Sequence, residues 1–152
     1  MSQRFLISAR LALAGFLAFS LAAVVGAQTP VPKADPDPDV ALARTAALDW
    51  LALADAGKMD ATWDEAATSF QKVQKKADWV KGLGGARPVV GKVLTRRFLN
   101  YEIRAVLPNL PPAKYITIRF STAFEKHKDG QESVTLIRDG ARGFRTMSYY
   151  LQ

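Results

Sequence analysis

The chain has 152 residues, no cysteine, and 21 basic against 14 acidic side chains, a formal charge of +7. Without a thiol there are no disulfides, no thiolate metal sites, no cysteine nucleophile and no lipid on an N-terminal cysteine. The single histidine, His127, has no second imidazole with which to share a metal.

At the start, Arg4 and Arg10 precede the uncharged apolar run Leu11 to Val25, and Val25-Gly26-Ala27 offers small residues at positions −3 and −1 of a cut. This order predicts a secretory signal peptide over 1–27, cleaved after Ala27. The apolar run is shorter than the ~20 residues a membrane span needs, so no stable membrane anchor is expected after cleavage. Gln3 precedes Arg4, so there is no twin arginine and the general secretion route is expected. An exported, unanchored, cysteine-free product is expected to be periplasmic. Residues 28–38 carry Pro30, Pro32, Pro36 and Pro38 and read as an extended linker. Residues 39–152 read as one domain. Cleavage removes two arginines and leaves 19 basic and 14 acidic residues, and the excess lies in residues 86–152, with 12 basic and 5 acidic. Export argues against nucleic acid as the partner of this basic half, which reads as solvated outer strand positions.

Val40, Ala43, Ala47, Trp50, Leu51 and Ala54 recur at helical spacing, and Gly57 is a natural stop. Thr62 and Glu65 match a capping box and predict a second helix with Trp63, Ala67, Phe70 and Val73 or Gln74 on its apolar face. A short third helix or turn is expected at "ADWVKGL", with Trp79, Val80 and Leu83 inward and Gly82, Gly84 and Gly85 ending the helical half.

From Lys92 the period becomes two. Leu99, Tyr101, Ile103, Ala105 and Leu107 alternate with Phe98, Asn100, Glu102, Arg104 and Val106 until "PNLPP" interrupts. Ile116, Ile118, Phe120 and Phe124 share one face of the next strand, and "QESVTLIRD" and "RGFRTMSYYLQ" are two more. "KHKDGQ" and "DGAR" each hold Asp-Gly, the dipeptide of tight hairpins. His127 therefore belongs to a hairpin turn. The expected fold class is α+β: two or three N-terminal helices packed on a curved four-stranded antiparallel sheet, a cone-like domain.

The runs "LDWLALADAGKMDATWDEAATSFQKV", "GARPVVGKVLTRRFL", "YITIRFSTAFEKHKDGQESVTLIRDG" and "RTMSYYLQ", in this order, resemble the bacterial domain of unknown function 4019 over roughly Ala41 to Leu151. Phe144 stands where the family tends to have tryptophan, and Ser148 where a glycine is usual. The resemblance implies a layout similar to nuclear-transport-factor-2-like or cystatin-like cones, with a pocket between helices and sheet. It implies no reaction.

For chemistry, Asp60, Asp64 and Glu65 are the densest acidic group, and capping explains them better than metal binding. Glu102, Glu125 and Glu132 are expected on the outward side of the strands. "GLGGARPVVG" lacks the Lys-Ser or Lys-Thr of a phosphate loop and leads into a strand. Arg87 and Arg97 belong to the family pattern, and pairing with Asp78, Glu102 or helix carbonyls is favoured over gripping a ligand anion. Trp50, Phe70, Tyr101, Phe120 and Tyr149 are the expected walls of a small apolar cavity free of charged clusters. No catalytic residue, metal or cofactor is expected. The expected function is a non-enzymatic module binding a small ligand or a periplasmic protein. The alternative is an assembly protein dimerising through its sheet, and an enzyme is the least favoured reading.

Overall fold

The computed structural model describes residues 37–152. The expected signal peptide, its cut and the linker up to residue 36 lie outside the described residues. Helix α1 is Pro38–Asp55. Its start combines proline, which lacks the amide a first turn cannot use, with Asp37, whose carboxylate accepts from the Asp39 amide at 2.9 Å. The buried stripe is Val40, Ala43, Ala47, Trp50, Leu51 and Ala54, as the spacing predicts. Gly57, at φ +72°, turns the chain out of the helix.

The second expected helix is two. α2 is Met59–Asp64 and α3 is Thr68–Val73. Ala66 and Ala67 between them are extended and buried, and they attach to the last strand through the Ala67 amide and the Thr146 carbonyl at 2.9 Å. The capping box is not formed. Thr62 lies inside α2, where its hydroxyl donates to the Met59 carbonyl (2.7 Å) and accepts from Trp79 Nε1 (2.9 Å), while its carbonyl accepts from Trp50 Nε1 (2.8 Å). This threonine is a junction for two tryptophans. Trp63 is half-buried under Lys76, and Val73 is exposed, so neither continues a core stripe. Asp60 and Asp64 pair with Lys76, and Glu65 pairs with Arg145.

Helix α4, Lys76–Val90, runs through the three glycines expected to end it and through Pro88. Glycine costs about 1 kcal/mol relative to alanine in a helix interior. Here the burial of Leu83 and Arg87, four residues apart on one face, overrides that preference. Gly91, at φ +79°, supplies the stop.

The sheet is a four-stranded antiparallel meander of β1 (Val93–Arg104), β2 (Tyr115–Phe124), β3 (Gly130–Arg138) and β4 (Phe144–Leu151), in that spatial order. Register shifts at Val93/Thr95, Phe98/Asn100 and Thr135/Leu136 are the bulges that bend such a sheet. The shift after Phe98 changes the face assignment of β1. Phe98 pairs with Phe120, Tyr101 with Ile118 and Ile103 with Ile116, so all three share the core face and Leu99 leaves it. One extra residue inverts the parity of everything before it. α1 lies across β4, β2 and β3, closing a core of Trp50, Leu51, Ile116, Ile118, Phe120, Val134, Leu136 and Phe144. His127 is exposed in the turn between β2 and β3, where its carbonyl accepts from the Phe124 amide at 2.8 Å. The 3-10 turn Gly140–Arg142 joins β3 to β4.

Candidate functional site

β3 carries Glu132 at the parity of Val134 and Leu136, and all three are fully buried. The outward placement expected from sequence is overturned, as is the expectation of an interior without a charged cluster. Burying a carboxylate is costly unless counter-charges and hydrogen bonds replace water. Glu132 has both. Oε1 accepts from Arg87 Nη1 and Tyr149 OH, each at 2.8 Å, and Oε2 accepts from Arg96 Nε and Thr122 Oγ1, each at 2.6 Å. Four bonds fill the acceptor capacity of a carboxylate. Arg96 reaches Asp55 through both terminal nitrogens, at 2.7 and 3.0 Å, and Arg87 Nη2 donates to the same aspartate.

The network therefore takes one side chain from each of α1, α4, β1, β2, β3 and β4: Asp55, Arg87, Arg96, Thr122, Glu132 and Tyr149. Two positive charges balance two negative ones. Burial pushes the Glu132 carboxyl up, but hydrogen bonds from Arg96 and Thr122 and the Arg96 charge outweigh it and hold the group below its ordinary value of 4.5. Burial and the Glu132 charge push the Tyr149 phenol far up, so it stays a donor. Arg87 pairs with carboxylates, but its partners are Asp55 and Glu132 rather than the Asp78 or Glu102 expected from sequence. It lies on a helix, not in a turn leading into a strand. Arg97, its expected companion, is exposed opposite Ser121 on the other face. Its neighbour Arg96 does the work instead.

The expected aromatic walls do not enclose one hollow. Trp50 packs against Tyr149 at 5.4 Å and Trp79 at 6.0 Å between ring centroids, and Phe70 meets Trp79 edge-on at 5.1 Å. Phe120 is buried in the core, and Tyr101 packs at its margin. Tyr149 borders, with Trp79 and Leu83, a separate cleft of about 280 Å³.

Larger open volume lies elsewhere. A cleft of about 520 Å³ runs between α1 and the β3–β4 turn, within the ordinary range for ligand pockets. One wall is the outer stripe of α1, with Leu42, Ala46, Asp49 and Leu53 beside Trp50; of the cavity walls and arginines expected from sequence, Trp50 alone lines it. The other wall brings Arg138, Arg142 and Arg145 around Phe144 and Thr146. Each guanidinium is held by a carboxylate: Arg138 by Asp39 (2.5 Å), Arg142 by Asp139 (3.1 Å) and Arg145 by Glu65 (2.8 Å). Arg142 is engaged at both terminal nitrogens, also binding the Ala66 and Asp64 carbonyls. Arg138 and Arg145 use one nitrogen each, Nη2 and Nη1. Among the described residues, the buried side-chain polar atoms without a partner are Arg145 Nε and Thr146 Oγ1, both on residues of this cleft. A second cleft, of about 620 Å³, lies beside Asp55 and Arg87, whose polar groups the network already engages.

No curated protein and no solved structure matches the chain. A family profile described as "Protein of unknown function (DUF4019)" matches residues 46–149, a span that holds all six network residues and most of the cleft, and the chain belongs to that family.

Proposed function

We propose that the chain is an exported, periplasmic, non-enzymatic module that binds a small ligand or a segment of a partner in the cleft between α1 and the β3–β4 turn. The observation that carries this reading is the coincidence in one cleft of a helix wall with Leu42, Ala46 and Leu53 and of the Arg138 and Arg145 guanidiniums, each with one terminal nitrogen engaged by a carboxylate. Export is supported by Arg4, Arg10, the apolar run to Val25 and the small residues ending at Ala27. The reading sets catalysis aside because the buried carboxylate of Glu132 already accepts four hydrogen bonds. A fragment screen by amide chemical shift tests it. The expected result is ligands that shift Leu53, Phe144 and Thr146 together. Ligands that perturb only the second cleft, or none that perturbs either, overturn it.

A second reading, dimerisation through the sheet, is favoured by the exposed apolar side chains Leu94, Leu99, Ile103 and Val106 on and beside the edge strand β1. Two bulges and the exposed Arg97 and Arg104 on that edge weigh against it, because natural edges use bulges and charges to avoid pairing. Sedimentation over a wide concentration range decides between one and two copies.

A further inference from the structure

We propose that the free edge of β4 at Tyr149 and Leu151 is a docking site for an extended segment of a partner protein, added to the sheet as a short fifth strand. The inference goes beyond the cleft at α1 and does not depend on it. β4 is an edge strand. At its end Gln131 and Gln152 exchange both backbone bonds, at 2.9 and 3.0 Å. In an antiparallel pair such bonded rungs alternate with unbonded ones. Leu151 opposite Glu132 and Tyr149 opposite Val134 are therefore unbonded rungs, and their N–H and C=O groups point away from β3. Among the described residues, no backbone group bonds them. Earlier in the strand the Thr146 carbonyl is taken by the Ala67 amide at 2.9 Å, beside a parallel bridge of Ala66 with Thr146. The fold thus already adds one extended segment to this edge, and the chain leaves it for α3 at Thr68.

The two edges of the sheet differ in protection. β1 carries two bulges and the exposed Arg97 and Arg104, devices that keep edges from pairing. Ser148 to Leu151 carry no charge, and their pairs with β3 run without a register shift. The strand is also held in place, since the Tyr149 hydroxyl is bonded to Glu132 and Arg87. A rigid strand with unmet backbone bonds is a template for an extended backbone at little ordering cost. The side chains that fit follow from the cleft of about 280 Å³ beside it, walled by Trp79, Gly82, Leu83 and Ala86 of α4 with Tyr149 and Leu151. The four α4 residues are spaced i, i+3, i+4, i+7 and form one helix face. Every second residue of an added strand faces that cleft, and the others lie on the side of the exposed Tyr150. The partner segment therefore alternates small apolar residues with polar ones. The cleft is just below the size of small-molecule pockets, about 300–1,000 Å³. Two free rungs are also far short of the roughly 1,200–2,000 Å² that stably paired domains bury. Both limits favour a single segment over a small ligand or a second copy.

The test titrates the purified full chain with a panel of capped heptapeptides that alternate threonine with valine, leucine or alanine. Amide shifts and amide hydrogen exchange are the readouts. In the free protein the Tyr149 and Leu151 amides should exchange fast, and a bound peptide should slow both and shift the Trp79 indole. The same peptide with every backbone amide methylated keeps its side chains and loses the ladder, and should bind about tenfold or more weakly. Gly82→Leu places a side chain on the cleft wall, where a Cβ meets nothing within 4 Å, and should weaken the peptide about tenfold. Gly85→Leu, equally open but outside the cleft, should leave binding unchanged. Equal binding of the methylated peptide overturns strand addition. So does slow exchange of the Tyr149 and Leu151 amides in the free monomer. Slowing that follows protein concentration, with a dimer by sedimentation, gives the edge to a second copy and overturns the proposal. Failure of the whole panel to bind overturns it as well, without touching the cleft at α1.

Discussion

Two sets of arginines flank the same sheet and do opposite things. Arg87 and Arg96 reach inward to Glu132 and Asp55, where every oxygen of Glu132 is engaged by two donors and each guanidinium binds both carboxylates. Arg138 and Arg145 stand at an open cleft, held from behind by one carboxylate each, with donors left over. Residue type does not separate the two groups, since all are arginines paired with acids. Saturation does. A closed network has no donor left over and joins six elements, whereas the cleft arginines keep donors that no side chain engages.

The largest effect that can break this comparison is at Glu132. Glu132→Ala leaves Arg87 and Arg96 sharing Asp55 as their one carboxylate and should cost about 3–5 kcal/mol in urea unfolding. A cost below about 1 kcal/mol, the scale of an exposed pair, would place Glu132 among the surface carboxylates.

The second effect is in pH. Burial raises the Glu132 carboxyl, and hydrogen bonds from Arg96 and Thr122 with the Arg96 charge more than reverse it, so its folded value lies below 4.5. Folding therefore favours the ionised form. The stability it contributes is fully present above 4.5 and is lost as pH falls through the lower folded value. Thermal midpoints measured from neutral pH into acid should fall steeply in the natural chain. Glu132→Gln should start lower and show a shallower acid slope, and an unchanged slope would assign acid unfolding to other carboxylates.

At the cleft the same operation should be mild. Arg145→Gln removes a partly exposed partner of Glu65 and should cost less than about 1 kcal/mol. A loss as large as that of Glu132→Ala would make the cleft arginines structural and erase the distinction. The smallest effect is at the hairpin. His127→Ala should stay within about 0.5 kcal/mol in the same urea assay, because the ring is exposed and touches only the Gln152 carbonyl at 3.2 Å.

Part of this was legible in the chain. The α1 stripe and the inward face of β2 follow from local periodicity, and each stands as read. β2 and β3 do form a hairpin, but Gly130 is the first residue of β3 and not a positive-φ turn residue, its lack of a side chain making room for Phe124. Glu132 was legible too, since it shares parity with Val134 and Leu136, but a charge at an inward position is discounted when no counter-charge is visible nearby. Its partners are 45, 36 and 17 residues away, at Arg87, Arg96 and Tyr149. Arg96 and Arg97 are adjacent, and their opposite faces depend on strand register, which the bulge at Phe98/Asn100 shifts for every residue before it. The break between α2 and α3 was hidden for a similar reason. Ala66 and Ala67 suit a helix locally, and only the free edge of β4 makes an extended strand-like segment preferable there.

What the sequence determined by itself is the set of elements whose signals are local: apolar spacing in α1, alternation in the strands, glycine and proline at the turns. These depend on neighbours within a few residues, so a linear reading captures them. The tertiary structure alone decided which charges face inward, how far α4 runs through its glycines, and where volume remains open. Each of those depends on groups far apart in the chain meeting at one point, where a buried charge is tolerable only if its partners arrive together.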